Sequence, residues 1–149
     1  MHSVSPVAES QAILAPFLAM MLLTALVWVY RYSRRLSFIK ANRIQPQDLA
    51  TPEMAAKLLP EAVTLPANNV RNLLELPVLF SALCLYLYVT GSVDGVHVAS
   101  AWMFVALRAA HSAVHCTANI VVLRFASYFA AALVLWFMRG RALLRAAGF

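Results

Sequence analysis

Four apolar runs, at residues 12–30, 66–89, 96–117 and 121–138, are separated by polar stretches along the chain. Each is close to the roughly 20 residues needed to cross a bilayer's hydrocarbon core. The pattern therefore predicts four transmembrane helices. The first run follows no basic segment and is longer than a signal core, so it reads as an anchor rather than a cleaved leader. Residues 91–95 are turn-rich, and the third and fourth runs are joined tightly near Asn119. The expected architecture is all-α: an integral-membrane four-helix bundle, up-down-up-down, in which residues 1–149 form one domain.

Between the first two runs lies a loop, expected over about residues 36–65. Trp28, Tyr30 and Tyr32, followed by Arg34 and Arg35, form an aromatic belt and basic anchor that close the first span. Within the loop, Thr51-Pro52-Glu53 has the order of a helix start: a capping hydroxyl, proline in the first turn, then an acid favoured by the helix dipole. Met54, Ala55, Leu58 and Leu59 give this short helix an apolar face before Pro60 stops it. Pro77 removes a donor inside the second span and orphans the carbonyl of Leu73, predicting a kink there.

Composition supports a membrane protein: 62% of the 149 residues are hydrophobic and 12% charged. The net charge of +6 could suggest nucleic acid, but its placement argues for none. Arg31, Arg34, Arg35, Lys40, Arg43 and Lys57 lie in or beside the first loop, as expected for a cytoplasmic segment. Arg139, Arg141 and Arg145 in the tail pull the other way but are fewer. The expected location is a multi-pass position in the inner or plasma membrane of a bacterium, with the first loop cytoplasmic and both termini outside. Cys84 and Cys116 fall at opposite depths, roughly 20 Å apart at 1.5 Å per residue, and read as free thiols.

Chemistry concentrates on the predicted cytoplasmic side. Asn68, Arg71, Asn72 and Glu75 follow i, i+3, i+4, i+7 spacing, one face of a helix. Such groups at membrane depth cost a few kcal/mol and rarely lack a task. Arg108, His111, His115 and Asn119 share a face of the third helix, and Arg124, Ser127 and Tyr128 open the fourth. With Arg31, Arg34 and Arg35 ending the first, all four helices bring polar groups to the same half of the membrane. Arg71, Arg108 and Arg124 face one carboxylate, Glu75, so the cluster suits an anion such as a carboxylate or thiolate. Structural alternatives stand beside this: an Arg71–Glu75 ion pair that neutralises itself, and interhelical hydrogen bonding by His111 and His115. A metal pair at those histidines lacks a third ligand beyond Glu75 and is opposed by the arginines, so no metal is expected.

Arg71-Asn72-x-x-Glu75-x-Pro77 resembles the second-helix signature of the MAPEG family, membrane-associated proteins of eicosanoid and glutathione metabolism. Arg108-x-x-His111-x-x-x-His115, then Arg124 and Tyr128, resembles that family's third and fourth helices. Asn42-Arg43-Ile44-Gln45-Pro46-Gln47-Asp48 is similar to its Asn-Pro-Glu-Asp-type loop. The resemblance covers nearly the whole chain, in order and spacing. It implies a homotrimer binding glutathione, as cosubstrate, between subunits near the cytoplasmic side. Arg35, Arg71, Asn72, Glu75, Arg108, His111 and His115 would form the binding site. Arg124 would stabilise the thiolate, with Tyr128 beside it and Asp48 assisting. A lipophilic electrophile or lipid hydroperoxide would arrive from the bilayer. Two positions depart from the pattern: Asn68 where an arginine is common, and His115 where a tyrosine is typical. The family also includes non-catalytic members, so the alternative is a membrane protein binding a lipid or other anion in the same place.

Overall fold

The computed structural model describes residues 10–148. The segment before the first apolar run, which carries no Lys or Arg, falls mostly in residues 1–9, outside the described residues. Among those described, all regular structure is helical: α1 (Leu14–Ala41), a 3₁₀ turn (Pro46–Leu49), α2 (Pro52–Leu58), α3 (Glu61–Leu73), α4 (Leu76–Val89), α5 (Gly95–Cys116) and α6 (Val121–Ala146). The single second helix expected from hydropathy is thus two, and the first loop carries its own helical turns.

α1 runs 28 residues, about 42 Å at 1.5 Å per residue, well beyond the expected end of the first span. Nothing after the Trp28–Tyr32 belt breaks a helix, and Lys40 sits favourably in the last turn. The chain stops where Arg43 turns left-handed at φ 52° and the Ile44 N–H reaches back to the Ile39 carbonyl at 3.1 Å. The predicted start of α2 is present: the Met54 N–H donates to the Thr51 hydroxyl at 3.3 Å.

α3 begins at Glu61, before the expected Pro66, because the extended Pro60 backbone and the acidic first residue suit a helix N-terminus. Pro66 lies inside α3 and removes one donor to the Ala62 carbonyl, yet the helix continues through it. At Pro77 the predicted kink is a complete break. Leu74 and Glu75 leave helical geometry, Glu75 with φ −99° and ψ −99°, and α4 restarts with Pro77 in its first turn, where a missing N–H costs least.

α5 and α6 form the largest interface, and their contacts run antiparallel, start against end. α1 lies against α3, α4 and α5, while α6 also touches α4. The core holds Met20, Leu73, Leu87, Met138 and a stacked Phe80–Phe104 pair with ring centres 4.4 Å apart. Outside, the surface is unusually apolar: Leu22, Val29, Val78, Val122, Phe125 and Phe137 are all exposed.

Among the described residues, three stretches are long and apolar enough to cross a membrane: Ser10–Ala41, Glu61–Val89 and Val121–Ala146. α5 forms with nearly the expected bounds but is not among them. Its hydropathy is lowered by His97, Arg108, His111, Ser112 and His115, all of which are buried. Its outward positions are Gly95, Val96, Ala99, Trp102, Met103, Ala106, Ala109, Ala110 and Ala113. The polar side chains that weaken the hydropathy of α5 are turned into the protein.

Candidate functional site at the break between α3 and α4

The break leaves the Asn72 carbonyl with only a 3.4 Å contact from the Glu75 N–H, and α5 supplies a second, closer donor. Arg108, wholly buried, donates from Nη2 to the Asn72 carbonyl at 2.9 Å. Its guanidinium lies 5.4 Å from the centre of the Tyr128 ring. Its Nε and Nη1 are buried without a hydrogen-bond partner among the described residues. Arg108 therefore acts on its own chain, holding the break against α5 and α6.

Glu75 follows from the same break. Released from the helix, its carboxylate accepts from the Tyr128 hydroxyl at 3.4 Å. Arg71 and Glu75 form no ion pair among the described residues, so the self-neutralising pair considered above is not the arrangement adopted. Asn68, Arg71 and Glu75 are exposed on the flank of the molecule and Asn72 is half-buried. The stripe looks outward from one subunit instead of lining an internal cavity, because its helix packs on α1 and α5 through Val63, Asn69, Val70 and Leu73.

Next to it, α5 and α6 build a polar knot around Arg124. His111 Nδ1 lies 2.9 Å from the Arg124 carbonyl. His115 Nδ1 lies 3.4 Å from His111 Nε2. Arg124 Nη1 approaches His115 Nε2 at 3.4 Å and donates to Asn119 Oδ1 at 2.7 Å. The Asn119 amide in turn donates to Glu61 Oε1 at 2.9 Å, tying α6 to the start of α3. Asn119 reaches this position through a left-handed backbone, φ 48°, one of the few non-glycine residues to tolerate it. The histidines are thus engaged by each other and by one arginine.

The remaining expected residues sit at or beyond the edge. Arg35, half-buried, lines a groove of about 450 Å³ with Leu59, Glu61, Thr64 and Asn68. Asp48 is exposed in the 3₁₀ turn, where its carboxylate accepts from the Gln45 N–H at 3.2 Å; no hydrogen bond among the described residues links it to Arg124 or Tyr128. The structure therefore brings together Asn72, Glu75, Arg108, His111, His115, Arg124 and Tyr128, with Arg71 and Arg35 flanking them.

Two groups escaped the sequence reading. Asn69, fully buried, donates to Cys116 Sγ at 3.3 Å and accepts from the Ser112 hydroxyl at 3.4 Å. Its signal was its place between two stripe residues, one position off the polar face. At the opposite end, Asp94 caps α5 by accepting from the His97 N–H at 2.8 Å. Its other oxygen receives Arg141 at 2.5 Å and Arg145 at 2.6 Å, which gives the basic tail a structural role. His97 Nδ1 lies 2.8 Å from Asp94 Oδ1 but is not aligned to donate. Burial pushes the Asp94 carboxyl up, but the Arg141 bond, the His97 N–H and the neighbouring positive charges outweigh it, lowering its pKa from 3.8 to about 2.

A match to the MAPEG family covers residues 11–144. The chain belongs to the MAPEG family. All the residues of the cluster, and the break that organises them, fall inside the matched region. No curated protein and no solved structure matches the chain. Membership in this family points to a membrane protein in glutathione or eicosanoid metabolism.

Proposed function

We propose that the protein is a membrane-bound glutathione transferase or peroxidase that acts on lipophilic electrophiles or lipid hydroperoxides. The observation carrying this reading is the convergence, at one helix break, of exposed Arg71 and Glu75 with half-buried Arg124 and Tyr128. Glutathione needs cations for its carboxylates, an anion for its ammonium group, and a donor beside its sulfur. Arg71 and Arg35 suit the carboxylates, Glu75 the ammonium, and Arg124 the sulfur. A guanidinium held in a poorly solvated site favours thiolate over thiol, so the nucleophile is available near neutral pH. Tyr128, already bonded to Glu75, places a hydroxyl beside the same region. Arg108 serves by holding the break.

The outward position of Asn68, Arg71 and Glu75 supports a site completed by a neighbouring subunit. We read the molecule as a homotrimer of four-span bundles, with the basic first loop cytoplasmic and the second substrate entering from the bilayer. Asn68, where other members commonly carry arginine, favours a second reading: a non-catalytic site for an anionic lipid. Calorimetry of glutathione binding to protein in mild detergent, followed by conjugation with a lipophilic electrophile, separates the two. Binding and turnover support the enzyme. Absence of glutathione binding, with an anionic lipid retained in native mass spectra, overturns it in favour of the lipid site.

A further inference from the structure

Arg124 is held by its own chain in a way that determines which edge of its guanidinium remains free. A carbonyl only accepts, so the 2.9 Å contact with the Arg124 carbonyl puts the proton of His111 on Nδ1. His111 Nε2 is then the lone-pair side, and His115 must donate to it from Nδ1. That leaves the lone pair of His115 on Nε2, facing Arg124 Nη1, which only donates. The three contacts close a ring that begins at the Arg124 carbonyl and ends at its guanidinium, and only one arrangement of protons on two neutral imidazoles satisfies it. Nη1 has two hydrogens. One goes to His115 and the other to Asn119, which Glu61 fixes from α3. Both are engaged, while Nε and Nη2 make no hydrogen bond within the described residues. Arg124 is half-buried, so that second edge is what a ligand meets.

We infer that His115 and the Glu61–Asn119 pair are positioning residues that lock Nη1 of Arg124 and so present its Nε/Nη2 edge to the substrate sulfur. The inference rests on the glutathione reading above, and it gives a role to the histidine that stands where relatives typically carry tyrosine. It carries a pH dependence. Protonating His115 turns Nε2 into a donor facing a donor, which opens the ring and leaves Nη1 of Arg124 held by Asn119 alone. The charged and titratable groups facing the histidine pair are Arg108 and His111 on α5, Arg124 and Tyr128 on α6, Glu61 reaching in through Asn119, and Glu75 at the break. The nearest charge is positive, so opening the ring leaves two adjacent cations.

The test compares wild type with His115→Leu, His115→Gln and Asn119→Ala, reading glutathione affinity, kcat against pH, and ring-nitrogen NMR of histidine-labelled protein. The leucine and alanine variants should lose on the order of ten- to a hundredfold in kcat while glutathione affinity stays within about twofold. Wild type should show an acid limb in kcat, and glutamine, whose side-chain oxygen can accept from Nη1 without titrating, should restore neutral activity and flatten that limb. The NMR should report a lone pair on His115 Nε2 at neutral pH, and this readout holds whether or not the protein conjugates glutathione. Unchanged kcat in His115→Leu, affinity falling in step with kcat, or a protonated Nε2 would each overturn the positioning role. A wild type that binds no glutathione overturns the parent reading instead, leaving the NMR to decide the ring.

Discussion

Asn69 shows what a single buried amide does in this protein. Wholly enclosed between α3 and α5, it satisfies Ser112 and Cys116 at once, and its removal leaves both polar groups without a partner. Asn69→Ala should cost about 2 kcal/mol, measured as loss of unfolding free energy in detergent; a loss below a few tenths would show the bridge to be idle. Asp94 is the counterpart at the other end. Its carboxyl titrates near 2 in the folded protein against 3.8 ordinarily, so its bonds stabilise fully above pH 4 and are lost as pH falls through that interval. Melting temperature should drop across this range in wild type, and the drop should be shallower in Asp94→Asn, whose neutral-pH stability is already reduced. Parallel acid limbs would refute the assignment. At this scale the sequence was readable for residues that a helix places on one face, such as Arg108, His111 and His115. Asn69 and Asp94 were not, because their partners lie 43 to 51 positions away and no periodicity links them.

Among elements, the interruption at Pro77 matters most. Without it, Glu75 would stay one helical turn from Arg71 and within reach of its charge. With it, Glu75 turns to Tyr128 and the Asn72 carbonyl becomes available to Arg108. Pro77→Ala restores the donor for the Leu73 carbonyl and should let α3 run into α4. Helix content should hold or rise while turnover falls on the order of ten- to a hundredfold; unchanged turnover would show that the break is incidental to the site. The position of this break was legible from one proline. The extent of α1 was not, because hydropathy ends where charged residues begin, whereas the helix continues until Asn42 and Arg43 stop it.

For the whole molecule, an apolar exterior and a polar interior cluster define the arrangement. The site residues of α5 are buried while large apolar side chains cover the outside, as suits a protein whose solvent is the bilayer. The resemblance carried by Arg71 to Pro77 and Arg108 to Tyr128 led to the family that the match over residues 11–144 establishes. The outward aspect of Arg71 and Glu75 could not be read from spacing, which shows that residues share a face but not which way that face points. The central claim is that Arg124 stabilises a glutathione thiolate. The most direct measurement is kcat for conjugation of a lipophilic electrophile at saturating glutathione, wild type against Arg124→Ala. A fall of roughly a hundred- to a thousandfold, with glutathione still bound, is the result predicted; equal turnover by the two proteins would contradict it.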